Sequence, residues 1–211
     1  EVQASLKVKD MPFLMGQGLY LDSDTLTPKD TIEEAIKHGT LSIGFIGLAE
    51  TLIALTGYHH GENEDSQILG EEIIAFMRDK ADRATEKYKL NYNLLATPAE
   101  GLSGRFAKMD CNEDGLIPGV TDKEYYTNSF HVPVNYQISM QDKIKIEAVY
   151  HKYTNAGHIS YVEFTAPPTN NLNAVEDILR YMGGCDNGYA GINFPFDFGD
   201  GCGYIGAIPG E

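Results

Sequence analysis

The segment TPAEGLSGRF (residues 97–106) brings two hydroxyls, Thr97 and Ser103, and the glycine Gly101 to a place where a strand feeds a helix. Backbone N–H groups at a helix start carry the positive end of the helix dipole. Joined by these hydroxyls, and by the close approach Gly101 allows, they make a cradle for an anion. No Lys follows the glycines, so this is not a P-loop, and an ordinary strand-to-helix turn with a good cap is the competing reading. A second candidate is TNSFHVPV (residues 127–134), where Asn128, Ser129 and His131 lie beside an apolar strand. There they either bind substrate or satisfy local backbone, and His131 has no carboxylate at a fixed spacing.

Two further patterns look like metal chemistry. His59 and His60 are adjacent, so on a helix they point about 100° apart, whereas helical metal pairs sit at i and i+4. They read as an exposed helix end. In GDGCGYIG (residues 199–206) only Cys202 offers a thiolate, because Gly199 stands where a C-x₂-C knuckle needs its first cysteine. A free buried cysteine in a Gly-rich turn is the alternative. Nothing places a Ser, His and acid as a catalytic triad. If phosphates bind here, the work is positioning rather than acid–base catalysis.

The elements that must position these groups follow from periodicity. Residues 1–30 read as a strand and a turn-rich connector. A helix starts near Thr31, a cap with Glu34 three residues on, and ends before Gly39. Another runs from Gly47 to Thr56 and stops at Gly57. Ile68, Leu69, Ile73, Phe76, Met77, Ala81 and Ala84 mark a long helix over 65–87. Then come a strand at 92–96, a short helix to about Lys108, a Gly/Asp/Pro-rich loop over 110–122, a strand near 130–134 bounded by Pro133, and a helix at 140–150. A strand at 157–164, a helix along Leu172, Val175, Ile178, Leu179 and Met182, and a strand at 189–194 complete the chain. Such alternation predicts an α/β fold with a largely parallel sheet. Ligands in such folds sit at the carboxyl ends of strands, here the loops after Ala96, Val134, Phe164 and Phe194.

Composition narrows the partners. The 31 acidic side chains against 16 basic ones give a net charge of −15, which disfavours nucleic acid as the main partner while leaving room for a locally bound anion. The most apolar stretch, residues 41–55, is broken by Ser42, Glu50 and Thr51 and is too short to span a membrane. The three cysteines, Cys111, Cys185 and Cys202, are an odd, scattered set. They argue against a disulfide framework and for a reducing, cytoplasmic setting. A first residue of Glu rather than Met points to an excerpt or a processed product.

Four segments taken together carry a resemblance: HGTLSIGFIGLAETL (38–52), KYKLNYNLLATPAEGLSGRF (87–106), IPGVTDKEYYTNSFHVPV (117–134) and TNAGHISYVEF (154–164). In order, and over nearly the whole chain, they resemble the anaerobic, oxygen-sensitive class III ribonucleoside-triphosphate reductases. The resemblance implies a glycyl-radical enzyme that removes the ribose 2′-hydroxyl of ribonucleoside triphosphates. It implies the second half of a ten-stranded α/β barrel over residues 1–197, with 198–211 opening a zinc-ribbon module. The family's thiyl cysteine, in a Met-Gly-Cys-Arg setting, and its radical glycine, in an Arg-Val-Cys-Gly-Tyr setting, are both missing here. No catalytic residue is therefore assigned.

Cys202-Gly203-Tyr204 copies part of the radical motif, but the preceding GINFPFD (191–197) matches the family's zinc-knuckle segment. By that match Cys202 is a zinc ligand of an incomplete site. The resemblance makes Thr97, Ala99, Glu100, Gly101, Leu102 and Ser103 the substrate-phosphate loop, and sets Asn128, Ser129 and His131 near the active-site floor. For the full-length enzyme it implies a radical-SAM activating enzyme, formate or a thioredoxin-like reductant, ATP or dNTP effectors, and a homodimer. The alternatives are a stand-alone, non-catalytic nucleotide-binding relative and, more remotely, a zinc-ribbon interaction protein.

Overall fold

Gly47 and Gly57 bracket the helix α3, and each has the left-handed backbone, φ +72° and +86°, that only glycine adopts without strain. They set its limits at Leu48–Thr56, as the sequence predicts. A computed structural model describes residues 2–164, 167–194, 197–198 and 205–206. In chain order its main elements are α1 (Pro12–Met15), α2 (Glu33–Ile36), β1 (Thr40–Phe45), α3, α4 (Glu64–Tyr88), β2 (Asn91–Ala96), α5 (Glu100–Asp114), α6 (Met140–His151), β3 (Ser160–Glu163), α7 (Leu172–Gly184), β4 (Ala190–Asn193), β5 (Asp197–Phe198) and β6 (Ile205–Gly206). Among the described residues no helix is long and apolar enough to cross a membrane.

The chain divides into two compact units, residues 1–43 with 77–94, and 44–76 with 95–211. The smaller one has its core at Met15, Ile32 and Ala35, packed by Leu6, Val8, Met11, Leu26 and Ile36. Its first thirty residues hold α1 and single 3-10 turns, where the sequence predicts a strand. Thr31 does not cap a helix. It pairs with Lys7 in an isolated antiparallel bridge, and α2 starts two residues later behind Ile32 with no side-chain cap.

In the larger unit, α7 is strongly amphipathic and buries Ile178 and Met182 against Ile144 of α6 and Val162 of β3. Each such side chain removed from water contributes about 1.5–3 kcal/mol. β3 and β4 pair in parallel, Ser160 opposite Ala190 and Val162 opposite Ile192. Leu95 of β2 forms a parallel bridge to Gly157, with the Ala96 N–H donating to the Gly157 carbonyl at 3.0 Å. The expected α/β alternation with parallel pairing is therefore present. β5 and β6 pair antiparallel.

Three further expectations differ from the structure. β1 lies in a stretch to which the sequence reading gives no element, although Leu41, Ile43 and Phe45 alternate with Ser42 and Gly44 at the period of a strand. α5 continues past Lys108 to Asp114, ending at Gly115 (φ +81°), so the loop begins there. Residues 130–134 form no strand: Phe130 and Val132 are buried not by a sheet but against α6, through Tyr150, His151 and Glu147, and against His60 and Gly61 of the loop after α3.

Candidate functional site

The irregular segment 123–135 is held in place by three helices. At α3, the Gly47 N–H donates to the Thr127 carbonyl at 2.8 Å, and the Leu48 N–H to that of Ser129 at 3.4 Å. The Glu50 carboxylate, 2% exposed, accepts from the Thr127 hydroxyl at 2.7 Å, the Thr127 N–H at 3.2 Å and Lys123 Nζ at 2.8 Å. At α5, the Asn128 side-chain oxygen accepts from the Ala99 N–H at 3.2 Å. At α6, Glu147 Oε1 accepts from the Val132 N–H at 3.2 Å and from Lys143 Nζ at 2.8 Å.

Phe130 stacks on Tyr150 with ring centroids 5.4 Å apart, and its carbonyl accepts from His60 Nε2 at 2.8 Å. His59 and His60 are thus buried, 4% and 1% exposed, and not an exposed helix end. The reason is aromatic packing: His60 meets Tyr150 edge to face and His59 meets Tyr136 in the same way. Burial pushes the His60 imidazole down to about 4.

This scaffold walls a cavity of about 540 Å³. Glu100, Asn128, Ser129 and His131, all candidates from the sequence, line it together with Lys123, Lys143 and Tyr161. β3 explains Tyr161: along the strand Ser160 and Val162 face α6, so Tyr161 faces the other way. Ser129 has a left-handed backbone, φ +46°, although it is not glycine and is buried, at a cost of about 1–2 kcal/mol.

The other loop candidates do not line the cavity. Thr97 fastens its N–H to the Phe45 carbonyl at 3.2 Å, and its side chain fills the space beside Gly44 that any Cβ there would need. Ser103 is buried, and its hydroxyl donates to the Glu100 carbonyl at 2.8 Å. Ala99 is the N-cap residue of α5 and gives it no side-chain cap, so the first-turn amides of Glu100, Gly101 and Leu102 have no capping acceptor. A Cβ on Gly101 meets open space.

Sequence reasoning missed Glu50 and Glu147. Glu147 is 1% exposed, yet it lies in register with Ile144, Ala148 and His151 on the buried stripe of α6. A charged residue on an apolar stripe was the available signal. Burial alone pushes the Glu147 carboxyl up, but His131 and Lys143 beside it overcome this and hold it at about 2. Its Oε2 lies 3.3 Å from His131 Nδ1, so His131 does have a carboxylate partner, supplied by the fold rather than by sequence spacing. The lysine charges at the cavity are matched by these two buried carboxylates. Among the described residues no cluster of three or more His, Cys, Asp or Glu could hold a metal ion. Cys202 lies outside the described residues.

The family described as anaerobic ribonucleoside-triphosphate reductase matches residues 1–209. The chain belongs to this family. It is 39% identical over 184 residues to the anaerobic ribonucleoside-triphosphate reductase of Escherichia coli strain K12, covering 86% of this chain and 26% of that protein. It is 36% identical over 194 residues to the enzyme of Enterobacteria phage T4, covering 91% of this chain and 30% of that one. The chain thus spans about a quarter to a third of the length of these relatives.

Solved structures share the fold. One anaerobic ribonucleotide reductase superposes with a TM-score of 0.69 at 16% identity, over 94% of this chain and 31% of that one. The Thermotoga maritima anaerobic ribonucleotide reductase in complex with dATP and CTP gives 0.63 at 16% identity, over 79% of this chain and 29% of that one.

Proposed function

We propose that this chain is part of the catalytic polypeptide of an anaerobic ribonucleoside-triphosphate reductase and supplies part of its substrate site. The observation that carries the reading is a cavity of about 540 Å³, of the size that holds a small ligand, beside the uncapped start of α5 in a member of this family. The amides of Glu100, Gly101 and Leu102 take the phosphates, and Thr97, Ala99 and Ser103 shape the turn that presents them. Because Lys123 and Lys143 are already matched by carboxylates, amides rather than lysines do most of the anion binding. Glu100 points its carboxylate away from bound phosphate. Asn128, Ser129 and His131 lie on the floor, under the nucleoside.

In this reading residues 1–197 are the second half of a ten-stranded barrel, supported by the parallel contacts from β2 through Gly157 and from β3 to β4. Residues 198–211 open a zinc module through Cys202. A tetrahedral zinc shell needs four ligands, and the single thiolate of this segment does not fit it alone. The glycyl radical, formed by a radical-SAM activating enzyme, supplies the oxidising chemistry from outside these residues. The reductant is formate or a thioredoxin-like donor, dNTP or ATP effectors act elsewhere, and the whole enzyme is a homodimer.

The test is anoxic CTP binding and reduction by the natural full-length protein, wild type against Gly101→Val. Equal CTP binding by the two proteins overturns the phosphate assignment. Tight CTP binding with no turnover after activation favours a non-catalytic nucleotide-binding relative.

A further inference from the structure

Several histidines of the larger unit, His60 and His151 among them, have partners that decide which ring nitrogen carries the proton. The Phe130 carbonyl only accepts, so His60 donates to it through Nε2. The Gly188 N–H only donates, so His151 accepts it at Nδ1, 3.0 Å away, and turns Nε2–H to the Ser160 hydroxyl at 3.0 Å. His131 differs from both because its partner is a buried carboxylate and its ring lines the cavity.

His131 Nδ1 and Glu147 Oε2 face each other at 3.3 Å, both are shut off from solvent, and neither makes a well-formed hydrogen bond to any group. A carboxylate oxygen only accepts, so the ring nitrogen facing it carries the hydrogen. Glu147 cannot turn away, because Oε1 is taken by Lys143 and the Val132 N–H. The His131 side chain is 16% exposed while Nδ1 is not, so the ring meets the cavity with its far edge, where the Nδ1–H tautomer would present Nε2 as a bare lone pair. Such an atom takes a donor and repels a phosphate oxygen.

We propose that Glu147 is a positioning residue that holds His131 as its Nδ1–H tautomer, so that Nε2 accepts a hydrogen bond from a sugar hydroxyl of the bound nucleotide. This rests on the nucleotide-site reading above. It adds which end of the nucleotide the floor recognises: the phosphates go to α5 and the ribose to His131.

The test uses the natural full-length protein. Nitrogen-15 NMR of labelled histidine is expected to show His131 protonated at Nδ1. In Glu147→Gln the amide oxygen stays with Lys143 and Val132, the NH₂ faces the ring, and the proton moves to Nε2. A wild-type ring protonated at Nε2, or a tautomer unchanged in E147Q, overturns the proposal.

Titration calorimetry tests recognition independently, should E147Q fail to fold. His131→Leu is expected to weaken CTP and UTP about tenfold each, the loss of one hydrogen bond. His131→Gln, which keeps an acceptor near the Nε2 position, restores most of the affinity, and tripolyphosphate binds all three proteins equally. A loss confined to CTP assigns the contact to the base amine and overturns the sugar assignment. Unchanged CTP and UTP affinity in H131L overturns this inference alone, whereas a wild type that binds neither CTP nor tripolyphosphate overturns the nucleotide-site reading with it.

Discussion

The Asn128 side-chain oxygen accepts the Ala99 amide proton at 3.2 Å, and that bond couples the cavity floor to the start of α5. Asn128→Ala leaves a buried amide without an acceptor, which costs about 1–2 kcal/mol in urea denaturation. Asn128→Asp keeps the acceptor and so keeps the stability. It also puts a negative charge next to the proposed phosphate amides, and CTP affinity is expected to fall further than in N128A. Equal affinity in the two variants rules out phosphates at this end of the cavity.

Gly101→Val separates binding from folding. A Cβ at Gly101 meets no protein atom within 4 Å, so a side chain there strains nothing while it crowds whatever binds at the start of α5. Val is a better helix residue than Gly by a few tenths of a kcal/mol, so the melting temperature is expected to hold or rise slightly. Tripolyphosphate affinity is expected to drop at least tenfold. Retained affinity shows that phosphate does not approach these amides.

Much of the helical frame was legible because its signals are local: Gly47 and Gly57 bracket α3, and the apolar stripe of α4 repeats for many turns. The segment around Phe130 was not, because alternating apolar residues look alike whether a sheet or a helix and a loop bury them. Thr97 and Ser103 were legible as polar groups at a strand-to-helix turn, but not that their hydroxyls turn to backbone carbonyls. Partners distant in sequence were hidden altogether: Glu50 meets Lys123 and Thr127, and Glu147 meets His131, only through tertiary packing. A carboxylate inside an apolar stripe announces that it has a partner without saying which.

Acid is expected to weaken the larger unit through His60. Its folded pKa, about 4, lies below the ordinary value of 6.5, because burial disfavours the cation and Nδ1 has no hydrogen-bond partner to receive a proton. The stabilisation is therefore fully present above pH 6.5 and is lost as pH falls from there towards 4. It amounts to at most about 3 kcal/mol for this one residue. Thermal melts of wild type and His60→Gln at pH 7.5 and 5 check it: the variant, with nothing to protonate, is expected to lose less stability between the two. Parallel losses in both proteins assign the acid sensitivity to other groups.

Glu50 sets stability against anion binding at the same cavity. Its buried carboxylate neutralises Lys123, whose side chain is 30% exposed and lines the cavity. Glu50→Ala strips the Thr127 hydroxyl and N–H of their acceptor and is expected to cost roughly 3 kcal/mol, as breaking a buried charged network does. Glu50→Gln keeps one oxygen for the Thr127 hydroxyl, but its NH₂ then faces the Thr127 N–H, so it removes the charge and one hydrogen bond. Lys123 can then hydrate, so the stability cost falls to about 1–2 kcal/mol. The released ammonium adds a positive charge to the cavity, so E50Q is expected to bind tripolyphosphate more tightly than wild type at low salt, with the gain screened away as ionic strength rises. An E50Q protein that is less stable but no better at binding the anion places Lys123 outside the reach of the phosphates.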